Sequence, residues 1–425
     1  MSSLVFCNTV INLAFRKSIF RPFSNDPHHI PVRRVRYIIF LKDVVILAFT
    51  CFGGPQAHLA RFLKILVEKH HYITEEELLE IQALCTILPG PTSTQTLTAI
   101  AFKIGGPNLA YLTLLIWILP SAAIMTTIAI GFNFVKDHAF ARFLEPIAVG
   151  LVIQAGVSMA AKILTNPVRI ILALAALVIA YLIQTPFITP IVVLAGGLAT
   201  ALEYQKLEKR EEKQPLKIEW SNFILFITVP VVAAIIGGLT HWLPIRLFEN
   251  FYRNGSLIFG GGHVLNPVLF TEFVQFKKYL SQSEFLSGLA VVQVAPGPVF
   301  SFASFIGALA MRSIHADIGG QIAGATLATF GIFLPGTFLI FFVYRFWEQL
   351  KQYRIVRASL EGITAASIGL IGAASIILLQ SLYQKPSSIY IDFPIVVLTF
   401  ILLQFTKIPQ FVLILIGLLA GFIIH

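Results

Sequence analysis

The chain has 425 residues, 56% of them hydrophobic and 12% charged, with a mean hydropathy of +0.81 and a formal net charge of +10. A soluble domain of this size needs more charge to cover its surface, and apolar runs of membrane-spanning length recur along the sequence. Much of the positive balance sits in short segments between those runs, which reads as the cytoplasmic loops of a polytopic membrane protein and not as a nucleic-acid footprint.

Residues 1–34 stand apart, with Arg16, Lys17, Arg21, Arg33 and Arg34 against a single acid, Asp26. A cytoplasmic tail or an over-long start is the plainer reading, and a targeting presequence is the alternative. Apolar helices are then predicted near 36–53, 75–105, 108–134, 143–163, 167–184 and 187–203. The second is interrupted at Pro89-Gly90-Pro91. Between the first two, 55–74 carries Arg61, Lys64 and Lys69 and reads as an amphipathic surface helix or a second dipping segment. The stretch 203–220 mixes both charge signs and reads as a solvated loop, followed by one apolar helix near 221–241. Cys7, Cys51 and Cys85 are too scattered for a disulfide framework or a metal site.

The chain is written twice. Phe52-Gly53-Gly54 recurs at Phe259-Gly260-Gly261 and Pro89-Gly90-Pro91 at Pro296-Gly297-Pro298, both at an offset of 207 residues. Tyr72 and Tyr279, Thr74 and Ser281, and Glu77 and Glu284 match at the same offset. Beyond them Leu119-Pro120 recurs at Leu334-Pro335, and Leu144-Glu145 at Leu360-Glu361. The organisation is therefore a basic extension (1–34), a first unit (35–203), a charged loop with a linker helix (204–242) and a second unit (243–425). If each broken helix crosses once, each unit has six crossings and the linker one, about 13 in all. That odd spacing inverts the second unit. With the amino terminus cytoplasmic, it places the basic loops at 203–217 and 345–357 inside, together with Lys277 and Lys278. The expected fold class is an all-α polytopic membrane protein of two inverted-topology repeats with Pro-Gly-Pro breaks.

Gly/Pro interruptions at matched positions of inverted repeats are the pattern of a secondary transporter. A helix that starts inside the membrane presents unpaired N–H groups and the positive end of its dipole, which attract an anion without burying a cation. After Pro91 come Thr92, Ser93, Thr94 and Gln95, all potential donors; after Pro298 comes Ser301. The Phe-Gly-Gly segments add Gly53, Gly54, Gln56 and His58 in the first unit and Gly260, Gly261 and His263 in the second. Lys103 and Arg312 lie past the two breaks, able to draw an anion in or simply to snorkel. Asp43, Glu145 and Glu361 are the ionisable groups that qualify for proton coupling. The Gly-Gly pairs at 196–197 and 237–238 and Gly417 read as close-packing residues.

The blocks "FGGPQAHLARF" and "LCTILPGPTSTQ", with "FGGGHVLNP" and "VVQVAPGPVFSFASFIG", resemble the chromate ion transporter family in its long, two-domain form, over about residues 36–425. The resemblance implies chromate efflux across the plasma membrane, driven by the proton-motive force and conferring resistance, with sulfate as natural competitor. Carried over residue by residue, it points to Gly53, Gly54, Pro55, Pro89, Gly90, Pro91 and Gln95, and to Gly260, Gly261, His263, Gln293, Pro296, Gly297 and Pro298. Lys103 stands where relatives often carry Arg, and the Thr-Ser-Thr-Gln after Pro91 can mark a subgroup with another substrate. The basic extension is outside the family pattern. The rivals are a carrier of sulfate or another tetrahedral oxyanion on the same scaffold, and an anion channel. An intramembrane enzyme finds no Ser-His or Cys-His pair, zinc ligands or P-loop to support it. The expected partners are a small oxyanion and the lipid bilayer, with a homodimer as the one assembly entertained, and no cofactor, metal or nucleic acid.

Overall fold

In a computed structural model of the chain, the described residues are 34–52, 54–132, 142–185, 188–202, 220–259, 262–347, 354–383, 389–406, 408 and 410–423. They form sixteen α-helices and no strand. The first unit holds α1 (Arg34–Thr50), α2 (Gly54–Phe62), α3 (Glu75–Ile87), α4 (Thr92–Gly131), α5 (Leu144–Ile163), α6 (Pro167–Leu182) and α7 (Ile188–Ala201). The linker helix is α8 (Ser221–Thr240). The second unit holds α9 (Leu243–Leu257), α10 (Gly262–Leu269), α11 (Gln282–Val294), α12 (Phe302–Arg312), α13 (Ile318–Val343), α14 (Arg354–Tyr383), α15 (Ile389–Phe405) and α16 (Gln410–Ile423). Five helices are long and apolar enough to cross a membrane. Leucine, isoleucine and valine side chains stand exposed along α6, α7, α8, α15 and α16, the faces a bilayer would cover.

The duplication is carried into local structure. α2 and α10 both continue as wide π turns, Leu63–Lys69 and Phe270–Phe276, at the 207-residue offset. α3 and α11 both start in a capping box, Thr74 with Glu77 and Ser281 with Glu284, which satisfies first-turn donors reciprocally. α4 is one helix only nominally. Gly105 and Gly106 leave helical geometry, Gly106 at φ +73, and Pro107 follows, so the chain turns at the place where the second unit separates α12 from α13 altogether.

The broken segments fold back on themselves. If α3 and the first part of α4 were collinear, Glu77 and Lys103, 26 positions apart, would be separated by about 39 Å at 1.5 Å per residue. Instead Lys103 Nζ lies 2.5 Å from Glu77 Oε1. The matched pair in the second unit, Arg312 Nη2 and Glu284 Oε1, is likewise in contact. Each Pro-Gly-Pro is therefore the tip of a hairpin whose two arms lie side by side, where the sequence reading took one continuous broken helix. The Phe-Gly-Gly segments are tips as well. Tyr72 and His70, beyond α2, reach back to Asp43 in the middle of α1 at 2.8 and 3.4 Å. In the second unit Phe273 on the π turn stacks on Phe251 of α9, with centroids 4.6 Å apart. The second dipping segment anticipated for 55–74 is thus one arm of a V made with α1, and His58, Phe62 and Leu66 on it are buried.

The two units are interlocked. α6 and α7 of the first pack on α14 of the second, while α15 and α16 of the second pack on α5 of the first. Small residues permit the closest approach: a Cβ on Gly362 of α14 would lie 1.9 Å from the Gly196 carbonyl oxygen of α7. The close-packing reading of Gly196, Gly197 and Gly417 matches their surroundings, whereas Gly238 faces open space.

Candidate functional site

The four hairpin tips meet across the units in a reciprocal pattern. The Gly90 amide donates to the Ile258 carbonyl at 2.8 Å, and the Gly297 amide donates to the Cys51 carbonyl at 2.8 Å. Each Pro-Gly-Pro thus hydrogen-bonds to the residue just before the other unit's Phe-Gly-Gly. Both glycines have positive φ, +120 at Gly90 and +96 at Gly297, a conformation that other residues rarely adopt. A Cβ at Gly90 would come within 3.2 Å of Gly336 Cα; one at Gly297 would come within 3.1 Å of Ser121 Cβ. Ser121 and Gly336 follow the matched Leu-Pro pairs, so each tip rests on the proline bend of the other unit's long helix.

The helices leaving the tips start bare. α4 begins after Pro91 without a side-chain cap, and so does the 3-10 turn Val299–Ser301 after Pro298. Four other helices, α3, α6, α11 and α13, are capped by Thr74, Asn166, Ser281 and Asp317. Thr92, Ser93, Thr94 and Gln95 are all buried, so the first-turn donors of α4 lie in the protein interior. Uncapped N–H groups there carry the positive end of the dipole into a low-dielectric region.

Around this end, Gln95 Nε2 donates to the Pro89 and Gly336 carbonyls at 2.8 and 3.1 Å, tying the tip to α13. Trp117 Nε1 donates to Thr94 Oγ1 at 3.0 Å. His58, 1% exposed, stands edge-on to Trp117, and neither ring nitrogen has a hydrogen-bond partner among the described residues. Beside Thr92, Ser93 and Thr96 a gap closed over by Leu59, Phe62 and Gln82 is too tight for a water molecule. At the second tip Ser301 Oγ lies 2.6 Å from Ser121 Oγ, and Ser304 donates to the Ser301 carbonyl. Gln293 is half-buried on the last turn of α11, and Pro296 is half-buried beside it. Gly54 opens α2 at φ +83. Gly53, Gly260 and Gly261 lie outside the described residues, as do the side chains of Pro55, Gln56 and His263.

The ionisable candidates are dispersed. Lys103 and Arg312 are bound to the capping-box glutamates Glu77 and Glu284, away from the tips. Asp43 is buried and accepts from Tyr72. Glu145 accepts from Ser283 at 2.5 Å, and Glu361 pairs with Arg169 at 2.7 Å. Each of these last two contacts ties one unit to the other. Sequence reasoning missed Trp117, Ser121 and Gly336; the matched Leu-Pro pairs beside Ser121 and Gly336 were the available signal. It also missed Glu272, fully buried between Arg253 (2.7 Å), Lys277 (3.2 Å) and Asn254 (2.7 Å). An acid inside an apolar window, with Ile65 at the matched position, was its signal.

A family model described as "Chromate transporter" matches residues 39–201 and 245–422, which are the two units. The chain is 27% identical over 392 residues to a chromate transport protein of Pseudomonas aeruginosa, covering 88% of either chain. It is 24% identical over 419 residues to a chromate transport protein of Cupriavidus metallidurans, covering 95% of this chain and 97% of that one. It is 23% identical over 348 residues to an uncharacterized transporter of Methanocaldococcus jannaschii, covering 80% and 83%. No solved structure matches.

Proposed function

The chain belongs to the chromate transporter family, and on that premise we propose that it exports chromate across the plasma membrane, driven by the proton-motive force, with sulfate as competitor. The observation that carries the site is the pair of buried, uncapped helix starts at Pro91 and Pro298, each held against the other unit's Phe-Gly-Gly segment through Gly90 and Gly297. A tetrahedral dianion is bound there by backbone amides and by the hydroxyls of Thr92, Ser93, Thr94 and Ser301. The site carries little fixed charge, so release stays accessible. His58 and Gln95 complete the lining. The packed gap under Leu59 and Phe62 makes α2 the element that must move for the anion to enter. Asp43 and Glu145 are both buried, and of the three acids Asp43 is best placed for proton coupling, because His70 stands 3.4 Å from it beside the Tyr72 hydroxyl.

In the topology we propose, nine helices cross: α4 beyond its bend, α5 to α8, and α13 to α16. The four tips belong to hairpins that reach only to mid-depth. α6 supports this, since Arg169 at its start pairs with Glu361 near the start of α14, and Tyr181 near its end accepts from Gln380 near the end of α14. The 19 positions from Glu361 to Gln380 span about 28 Å, a bilayer core. The second unit's hairpins then enter from the face opposite to the first unit's, an inverted repeat. The amino terminus, Arg61, Lys64, Lys69 and the loop 203–217 share the cytoplasmic face, while Lys277 and Lys278 move to the other. Single cysteines at Glu75 and Gln282, with Cys7 replaced by serine, check this. An impermeant maleimide is expected to label Gln282→Cys from outside and Glu75→Cys only in inverted vesicles; labelling of both from one face rules the inversion out.

The function is tested by chromate flux in vesicles under an imposed pH gradient. Saturable flux that follows the gradient, collapses with an uncoupler and is inhibited by sulfate is expected. Flux that neither saturates nor responds to the uncoupler points to a channel.

A further inference from the structure

The two units differ sharply where their hairpins open to the surface. A cavity of about 760 Å³ lies at the second unit's mouth, lined among others by Gln184, Gln275, Lys278, Gln282, Arg312 and Gln380. Arg312 is held by Glu284, so among the described residues Lys278 is the lining cation without an ion-pair partner. At the matched lining positions of the first unit, Glu68 stands for Gln275, Glu75 for Gln282 and His71 for Lys278, with Lys69 next to them where the second unit has Phe276. The backbone is otherwise conserved between the two mouths: His71 and Lys278 share a left-handed conformation at φ +49 and +53, and both mouths keep the capping-box glutamate bound to a basic residue. The two mouths thus share a frame and differ by two lining carboxylates and one lining cation.

We propose that this cavity is a vestibular anion site, which holds tetrahedral dianions by charge and amide donors on the face where exported anions leave the hairpin tips, and that the first unit's mouth has no such site. The inference rests on the transport reading for its destination but not for its chemistry. Lys278 supplies the net positive charge, and the amides of Gln184, Gln275 and Gln380 offer donors that do not discriminate chromate from sulfate. A dianion about 6 Å from one charge in a water-filled cavity gains roughly a tenfold in occupancy, and this gain shrinks in salt. The asymmetry sets the apparent affinity at each face. It does not set net direction, which belongs to the driving gradient.

The test is Gln275→Glu combined with Lys278→His and Gln282→Glu, which copies the first unit's mouth at the three lining positions that differ in charge. Chromate binding to the detergent-solubilised full chain, followed by calorimetry at low ionic strength, is expected to weaken about tenfold, with the difference largely lost near 1 M salt. In vesicles the KM on that face should rise by a similar factor with the maximal rate unchanged. The converse pair, Glu75→Gln with Glu76→Ser, should lower KM on the other face. Binding and KM within twofold of the parent at low salt overturn the proposal, as does failure of the parent to bind chromate, sulfate or phosphate at all. Dianion binding lost in the variant but without flux in the parent keeps the vestibule and removes the transport reading.

Discussion

Gly90→Val is expected to reduce chromate flux by about a hundredfold or more while leaving the protein in the membrane. The backbone at φ +120 costs a β-branched residue on the order of 1–3 kcal/mol. The new Cβ would also press on Gly336 Cα at 3.2 Å and Gln95 Nε2 at 3.1 Å, and the first of these is backbone that cannot step aside. The tip must then shift, losing the Gly90–Ile258 hydrogen bond and moving the first turn of α4 with it. Two such effects, each about 1.4 kcal/mol or more, give a hundredfold. Gly297→Val should do the same through Ser121, because the contacts are reciprocal. Gly238→Ala on α8, with nothing within 4 Å, is the control and should leave flux intact. Flux per inserted protein in vesicles is the measurement; a Gly90→Val protein retaining a tenth or more of parental flux would remove the tips from the transport path.

Glu272→Ala should cost about 3–5 kcal/mol of stability, the penalty for stranding buried cations. Glu272 has no exposed surface, and its two oxygens serve Arg253, Lys277 and Asn254. Removing it takes the buried carboxylate from Arg253, which keeps Glu249 and Asn250 beside it, and leaves Lys277 facing Phe273 and Tyr279. The first unit indicates what the frame tolerates, since it carries Ile46 and Ile65 at the positions of Arg253 and Glu272. A triple replacement, Arg253→Met, Glu272→Leu and Lys277→Met, is therefore expected to recover most of the loss. Thermal unfolding in detergent measures both; a Glu272→Ala protein that melts with the parent contradicts the account.

Some of this architecture is legible without coordinates because its causes are local. Hydropathy sets which residues avoid water, so the helices at 144–163 and 221–240 fall within two residues of their predicted bounds. Proline and glycine break helices whatever surrounds them, so the interruptions at 89–91 and 296–298 are readable from the chain. The 207-residue repeat needs no structure at all. The candidate site was half legible: Thr92 to Gln95 and Ser301 follow directly from the breaks, but Trp117 and Ser121 come from an apolar helix whose facing partner no local pattern reveals.

What a break does to the direction of the chain is a different kind of question. Both a kinked crossing and a hairpin satisfy the same hydropathy, and the choice rests on Lys103 meeting Glu77 and Arg312 meeting Glu284 across a reversed segment. The exchange of terminal helix pairs between units rests likewise on Gly196 meeting Gly362. These contacts join residues far apart in sequence, and their free energy exists only once the chain has closed around them. Composition, helix breaks and duplication were therefore determined by the amino-acid sequence read alone, whereas the hairpins, the interlock and the contacts of each tip with the other unit were decided by non-local packing.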